Sequence, residues 1–308
     1  MIKKKIQKFI ERKLGIEELR GKVKTIHYYL NEFVDITSIP PTKNPDLRIM
    51  QQCDGVLLSI FDAVCKKHNL TYWLDSGTLL GAYRHKGFIP WDDDMDVAML
   101  REDFNRLNAI LEKELVPLGI ELYPEHSGSS FGIGYKHLKT GLWLDVFPVD
   151  VYCSKFALKD AHDEIVNRAK KYQSYYFSKK DSTKDLSIFD SYRENLLNEQ
   201  GGRINIYYCC LEFSIDQTLI YSESDLFPLE YLEFEGRSYP VPRDYNRYLE
   251  LMYGNYMSFP QNGILIHDMG RGHLFTWAKA NGVNMVVVKE ELNNILNNLE
   301  KQVAIPVK

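Results

Sequence analysis

Residues 72 to 100 read YWLDSGTLLGAYRHKGFIPWDDDMDVAML, and how this stretch folds decides the architecture of the chain. Tyr72-Trp73-Leu74 is a short apolar run, Asp75-Ser76-Gly77-Thr78 a small-residue turn, and the residues after it are helix-compatible, so the spacing predicts a strand turning sharply into a helix. Such a turn aims free backbone N–H groups at whatever lies in front of it, and phosphate is the usual guest. The next predicted strand runs from Asp94 to Leu100. Its period of two puts Asp94 and Asp96 on one face and Met95 and Val97 on the other. Two carboxylates sharing a face repel unless a cation lies between them. The competing reading is a turn after Pro90-Trp91 whose acids are solvated or cap a helix.

An all-oxygen site with carboxylates and room for phosphate suits Mg²⁺, with Mn²⁺ as its substitute. A third ligand is expected from a neighbouring strand. Leu142 to Phe147 is apolar except for Asp145, and an isolated carboxylate in such a run is costly to bury without a partner. Asp94, Asp96 and Asp145 are therefore the expected metal ligands. Arg84, with His85 and Lys86 beside it, supplies cationic groups of the kind a diphosphate binds; surface solvation is the alternative for His85 and Lys86. Asp75 is read as a helix cap or as a group that orients a ligand.

GTLLGAYRHKGFIPWDDDMDV resembles the signature of the LicD/fukutin family, WLDVFPVD its second block, and the stretch from Pro240 to Tyr256 its C-terminal block. The resemblance implies a nucleotidyltransferase-like (polymerase-β-like) fold. It also implies transfer of a phospho-alcohol such as phosphocholine, from a CDP-activated donor such as CDP-choline, to a glycan acceptor such as a polysaccharide or lipopolysaccharide. The superfamily pattern falls on Gly77-Thr78, on Asp94 and Asp96, and on Asp145, with Thr78 where Ser is usual. Gly77, Thr78 and Arg84 are then expected to grip the donor, and Asp145 to take the acceptor's proton. Two rivals belong to other classes: a metal-dependent glycosyltransferase using a nucleotide-sugar, and a non-catalytic scaffold of the same fold.

Working outward, 308 residues with 44% hydrophobic composition can bury a full core. Five cysteines show no C-x-x-C or Cys/His spacing, so neither a disulfide framework nor structural zinc is expected, as suits a reducing cytoplasm. Residues 1 to 24 carry nine Lys/Arg against three Glu, a net of +6, while the whole chain is −4 and the remainder therefore −10. Ile2, Ile6, Phe9, Ile10 and Leu14 recur at helical spacing among these lysines. Such a helix lies on an anionic membrane face or packs on the body. No apolar run approaches a transmembrane span of about 20 residues, so a cytoplasmic protein, at most peripheral to the inner membrane face, is expected. No nucleic-acid partner is expected.

Ile16, Leu19, Val23, Ile26, Leu30 and Phe33 form a short heptad seam, read as a homodimeric coiled coil or as packing on the chain's own core. Residues 1–38 are thus one N-terminal helical unit, the Pro-rich segment 39–45 a linker, and 45–308 the catalytic domain. Within it the patterns predict helices over Asp46–His68 and Glu102–Leu115, strands over Phe131–Leu138 and Leu142–Val149, and helices through 155–213. A hairpin turning at Gly236 and a helix from Asp244 to Tyr253 follow. This is an α+β chain with a mixed sheet covered by helices. Tyr175-Tyr176 and Tyr207-Tyr208 are read as packing or as stacking platforms for a base or sugar. His267, Arg271 and His273 are candidate phosphate contacts.

Overall fold

A computed structural model describes residues 15–124, 131–136, 141–179, 187–197, 204–209, 219–259, 278 and 280–303. After the N-terminal helix α1 (Ile16–Phe33), the body opens with α2 (Pro45–His68). Asn44 caps α2 by accepting from the N–H groups of Asp46 and Leu47, Pro45 fits the first turn, and Asn69 ends it in the left-handed conformation. The C-terminal helix α9 (Met285–Val303) packs along α2. Val288, Leu292, Leu296 and Leu299, at spacings of three and four, bury one stripe of α9 in the main core.

The sheet is mixed, as its pattern predicted. β1 (Tyr72–Leu74) pairs antiparallel with β2 (Asp96–Leu100), and β2 pairs parallel with β5 (Leu144–Ser154). β5 then pairs antiparallel with β4 (Phe131–Tyr135), and β4 with β3 (Ile120–Pro124). The helices α3 (Ser76–His85) and α4 (Arg101–Glu114) follow β1 and β2. The second half of β5 leaves this core sheet to pair with β6 (Ile204–Cys209), which pairs with β7 (Leu219–Ser222).

Around that extension, α5 (Leu158–Lys179) and α6 (Ser187–Leu197) build a separate core from Tyr152, Ile165, Tyr172, Tyr176, Phe189 and Ile206. Tyr176 and Tyr207 are buried packing residues. Tyr207 and Tyr208 lie on strand β6, not on the expected helix, because pairing with β5 overrides a sequence pattern too short to fix the element. A short helix α7 (Glu223–Leu226), a hairpin β8 (Glu230–Phe234) to β9 (Arg237–Val241), and α8 (Tyr245–Tyr253) complete the described body. Gly236 turns the hairpin at φ 78°, Asp244 caps α8, and Gly254 stops it.

The apolar seam of α1 is largely turned outward: Leu19, Val23, Ile26 and Phe33 are exposed. The helix is tied to the body from its polar side, where His27 Nε2 meets Phe259 O at 2.9 Å and Asn31 Oδ1 accepts from Phe259 N at 2.7 Å. No described helix is long and apolar enough to cross a membrane.

Candidate active site

The turn between β1 and α3 is fastened to the start of β2. Asp75 N donates to Asp96 O at 3.0 Å, and Asp96 N donates to the Thr78 hydroxyl at 2.8 Å. Thr78 is buried and holds the backbone of Asp96 in place. Asp75 stands at the N-cap position but its side chain caps nothing. It accepts instead from Tyr248 Oη at 2.8 Å, because Tyr248, buried and stacked on Tyr221 at 4.1 Å, needs a buried acceptor. This contact brings the Pro240–Tyr256 block to the turn.

Parallel pairing of β2 with β5 sets Asp96 directly beside Asp145. Asp145 N donates to Met95 O at 2.8 Å, and the Trp143 indole N–H donates to Asp145 Oδ1. That indole lies against Gly132, the cross-strand neighbour of Asp145, where any side chain would occupy the ring's place. Half-buried Asp96 is crowded: enclosure by protein, then the charges of Asp94, Asp145, Asp75 and Asp92, raise its carboxyl well above the ordinary value. Tyr253 reaches the same place from α8. Its hydroxyl bonds to Ser76, and enclosure of that end of an otherwise exposed side chain, with the charges of Asp96, Asp75 and Asp92, disfavours its ionisation.

The structure thus brings Asp96 and Asp145 together as the sequence suggested, but begins the strand at Asp96, leaving Asp94 in the irregular segment that leads into it. One oxygen from each of Asp92, Asp93 and Asp94 lies within 4.8 Å of the others. The expected strand began at Asp94 and left Asp92 outside it, yet Asp92 Oδ2 lies 2.8 Å from where a Cβ on Gly77 would stand, with Asp96 Oδ2 3.8 Å from the same point. The cause is a turn, Asp92 N to Ile89 O at 2.9 Å, held from outside by Gln51 Nε2 on Asp92 O. A hard, all-oxygen, anionic set with space left open by a glycine fits a small divalent cation.

Arg84 is buried, donates to Tyr256 O at 3.0 Å, and feels Asp92; burial lowers it to about 10, so it stays charged at neutral pH. His267, Arg271 and His273 lie outside the described residues. The sequence reading missed Asp92, Gly132, Trp143, Tyr248 and Tyr253. A glycine opposite an acid on adjacent predicted strands was the one available signal, and it needed the register to be legible.

Five residues beyond Asp145 the same strand carries Asp150, with different surroundings. Arg101 grips it in a fork, Nε to Oδ1 at 3.0 Å and Nη2 to Oδ2 at 2.7 Å, and Arg193 of α6 approaches Oδ1 at 3.3 Å. All three are largely buried, and together they fasten the helical lobe to the sheet.

The model of the LicD/FKTN/FKRP nucleotidyltransferase domain matches residues 69–187. The chain is similar to the lipopolysaccharide cholinephosphotransferase LicD of Haemophilus influenzae, 27% identical over 236 residues, covering 66% of this chain and 88% of that protein. It is also similar to the ribitol 5-phosphate transferase FKRP of Mus musculus, 29% identical over 104 residues, 32% of this chain and 20% of that protein. An uncharacterized protein of Rickettsia prowazekii is 56% identical over 45 residues, 15% of this chain and 17% of that protein.

Proposed function

Because the chain belongs to the LicD/fukutin family, we propose that it is a phosphotransferase moving a phospho-alcohol from a CDP-activated donor to a hydroxyl of a cell-surface glycan. The observation that carries this reading is Asp96, seated beside Asp145 at the β1–α3 turn and pressed by four other carboxylates. Asp96, with Asp94, Asp145 and the newly placed Asp92, would hold Mg²⁺, which when bound neutralises charge on a diphosphate. Thr78 fixes the backbone of Asp96, Tyr248 aims Asp75, and Trp143 aims Asp145. Asp145 is the proposed acceptor of the glycan hydroxyl's proton. Arg84, within electrostatic reach of Asp92, keeps a positive charge behind the acids.

The relatives named above transfer cholinephosphate and ribitol phosphate, which makes CDP-choline and CDP-ribitol the first donors to test. Incubation of the protein with these, CDP-glycerol and CDP-ethanolamine, with Mg²⁺ and after chelation, should release CMP only with metal. Release of UDP or GDP from nucleotide-sugars instead would establish the glycosyltransferase reading. No turnover with any donor would favour a scaffold.

The outward strip of α1 fits a second copy of the chain, whose own heptad seam would cover Leu19, Val23, Ile26 and Phe33. Deleting residues 1–38 should halve the mass seen by light scattering. An unchanged mass, with binding to anionic but not neutral vesicles, would assign the strip to a membrane face.

A further inference from the structure

Sideways across the sheet, the acids give way to aromatic rings. Asp96, Asp145, Gly132 and Tyr123 are register partners on β2, β5, β4 and β3, so they share one face of the sheet, each about 5 Å from the next. Trp143, two residues before Asp145, lies on that face with its indole over Gly132 and its N–H on Asp145. The absence of a side chain at Gly132 is what lets the indole lie across β4 and bridge from the acids to Tyr123. The Trp143 and Tyr123 rings stand 5.6 Å apart, inclined at 37°. Glu121, two residues from Tyr123 along β3 and so on the same face, accepts from the Tyr123 hydroxyl. Trp143, Tyr123 and Glu121 are all half-buried, so each keeps surface that a ligand can cover.

Such a corner selects by charge and by shape. The faces of Trp and Tyr attract cations, most of all when the cation is weakly hydrated, as a methylated ammonium is. Glu121 forms no ion pair among the described residues, and Asp145 and Asp96 add negative charge at the other end of the indole. Two rings inclined at 37° make a shallow hollow, which suits a rounded group better than the flat ring of a base. A polyol laid there would bury hydroxyls against rings that leave most of them without a hydrogen bond.

We propose that Trp143, Tyr123 and Glu121 form the platform for a quaternary ammonium head on the transferred alcohol, and so select the donor. The platform takes this role only with the adjacent acids holding the donor's phosphates, the reading given above; a head two carbons from its phosphate then falls on the indole beside Asp145. No bond is made or broken on the platform, whose residues bind the head while Trp143 also aims Asp145.

Phosphocholine, phosphoethanolamine and glycerol 3-phosphate are titrated into the full chain with Mg²⁺ and followed by calorimetry, and CMP release from the CDP donors is measured separately. Phosphocholine should bind about tenfold more tightly than glycerol 3-phosphate and several-fold more tightly than phosphoethanolamine, whose primary ammonium is better hydrated. Tyr123→Leu should remove about fivefold of this preference by weakening phosphocholine alone, whereas Tyr123→Phe, which keeps the ring, should retain it. Glu121→Gln, which leaves Tyr123 an acceptor but removes the charge, should reduce the preference about threefold. The proposal is overturned if either other phosphate binds as tightly as phosphocholine, or if phosphocholine shows no binding at about 10 mM. It is equally overturned if Tyr123→Leu weakens all three ligands alike, the mark of a structural role, or weakens none. A preference for phosphocholine without CMP release from any donor would leave the platform standing and sink the transfer reaction; CMP release without that preference would do the reverse.

Discussion

Strands β2 and β5 lie side by side and in parallel, and their two ends treat a carboxylate in opposite ways. At the first end Asp96 pairs in register with Asp145, and the charges acting on Asp96 are those of Asp94, Asp145, Asp75 and Asp92. At the other end Asp150 is enclosed by Arg101 and Arg193. Both regions concentrate charge in the protein, but the four charges that act on Asp96 are all negative, whereas those that enclose Asp150 are positive. A buried acid with its own guanidinium is a fastening. An acid pressed by other acids raises the free energy of the folded chain, and a cation supplied from outside would lower it.

The sharpest way to break this contrast is Asp96→Asn. Transfer should fall on the order of 10²-fold or more, as when a preorganised electrostatic group is removed. The metal-free variant should be no less stable than wild type. Since the folded protein raises this carboxyl, it binds more protons there than the unfolded chain, so the wild type loses stability as pH rises from about 4 through the raised value. Calorimetry without metal should show a downward trend of Tm over that window, flatter in the Asn protein, and Mg²⁺ should restore the wild type. A Tm indifferent to Mg²⁺ and EDTA would sink the idea.

At the other end, Asp150→Ala leaves two buried guanidinium groups without their shared acceptor. It should cost about 3–5 kcal/mol in urea unfolding, with no rescue by Mg²⁺. A loss below about 1 kcal/mol would place Asp150 among weak surface pairs and remove the contrast.

Gly77→Ala sharpens the assignment of Asp92. Gly77 lies in the first turn of α3, where alanine favours the helix, but the new Cβ would stand 2.8 Å from Asp92 Oδ2 and displace it. Mg²⁺ affinity should fall by about tenfold, the scale of a disturbed ligand shell, while the fold persists. Unchanged affinity by calorimetry would remove Asp92 from the ligand set.

Tyr248→Phe is the smallest change, deleting the bond to Asp75 at 2.8 Å and costing about 1 kcal/mol of stability. If Asp75 needs that bond for its orientation, Mg²⁺ affinity should drop several-fold as well, and an effect on stability alone would make the contact purely structural.

The sequence by itself determined the local elements and the chemistry they carry. Tyr72–Leu74 as a strand, the turn into α3, the hairpin at Gly236 and the helix from Asp244 to its stop at Gly254 all depend on residues within a few positions of one another, where steric and capping preferences act. Acid spacing marked Asp96 and Asp145 as candidates for one site, and the structure sets them side by side. Tertiary structure alone decided which groups surround them. β3, β7 and α9 went unread because a short strand, or a helix stripe, is defined by what covers it. Gly132 beneath Trp143, Tyr248 on Asp75, and the Arg101–Asp150–Arg193 cluster join residues from distant parts of the chain through sheet register and helix docking. Asp92 entered the cluster through the turn that precedes the strand, where backbone hydrogen bonds and not strand register set the side-chain direction, since pairing begins only at Asp96.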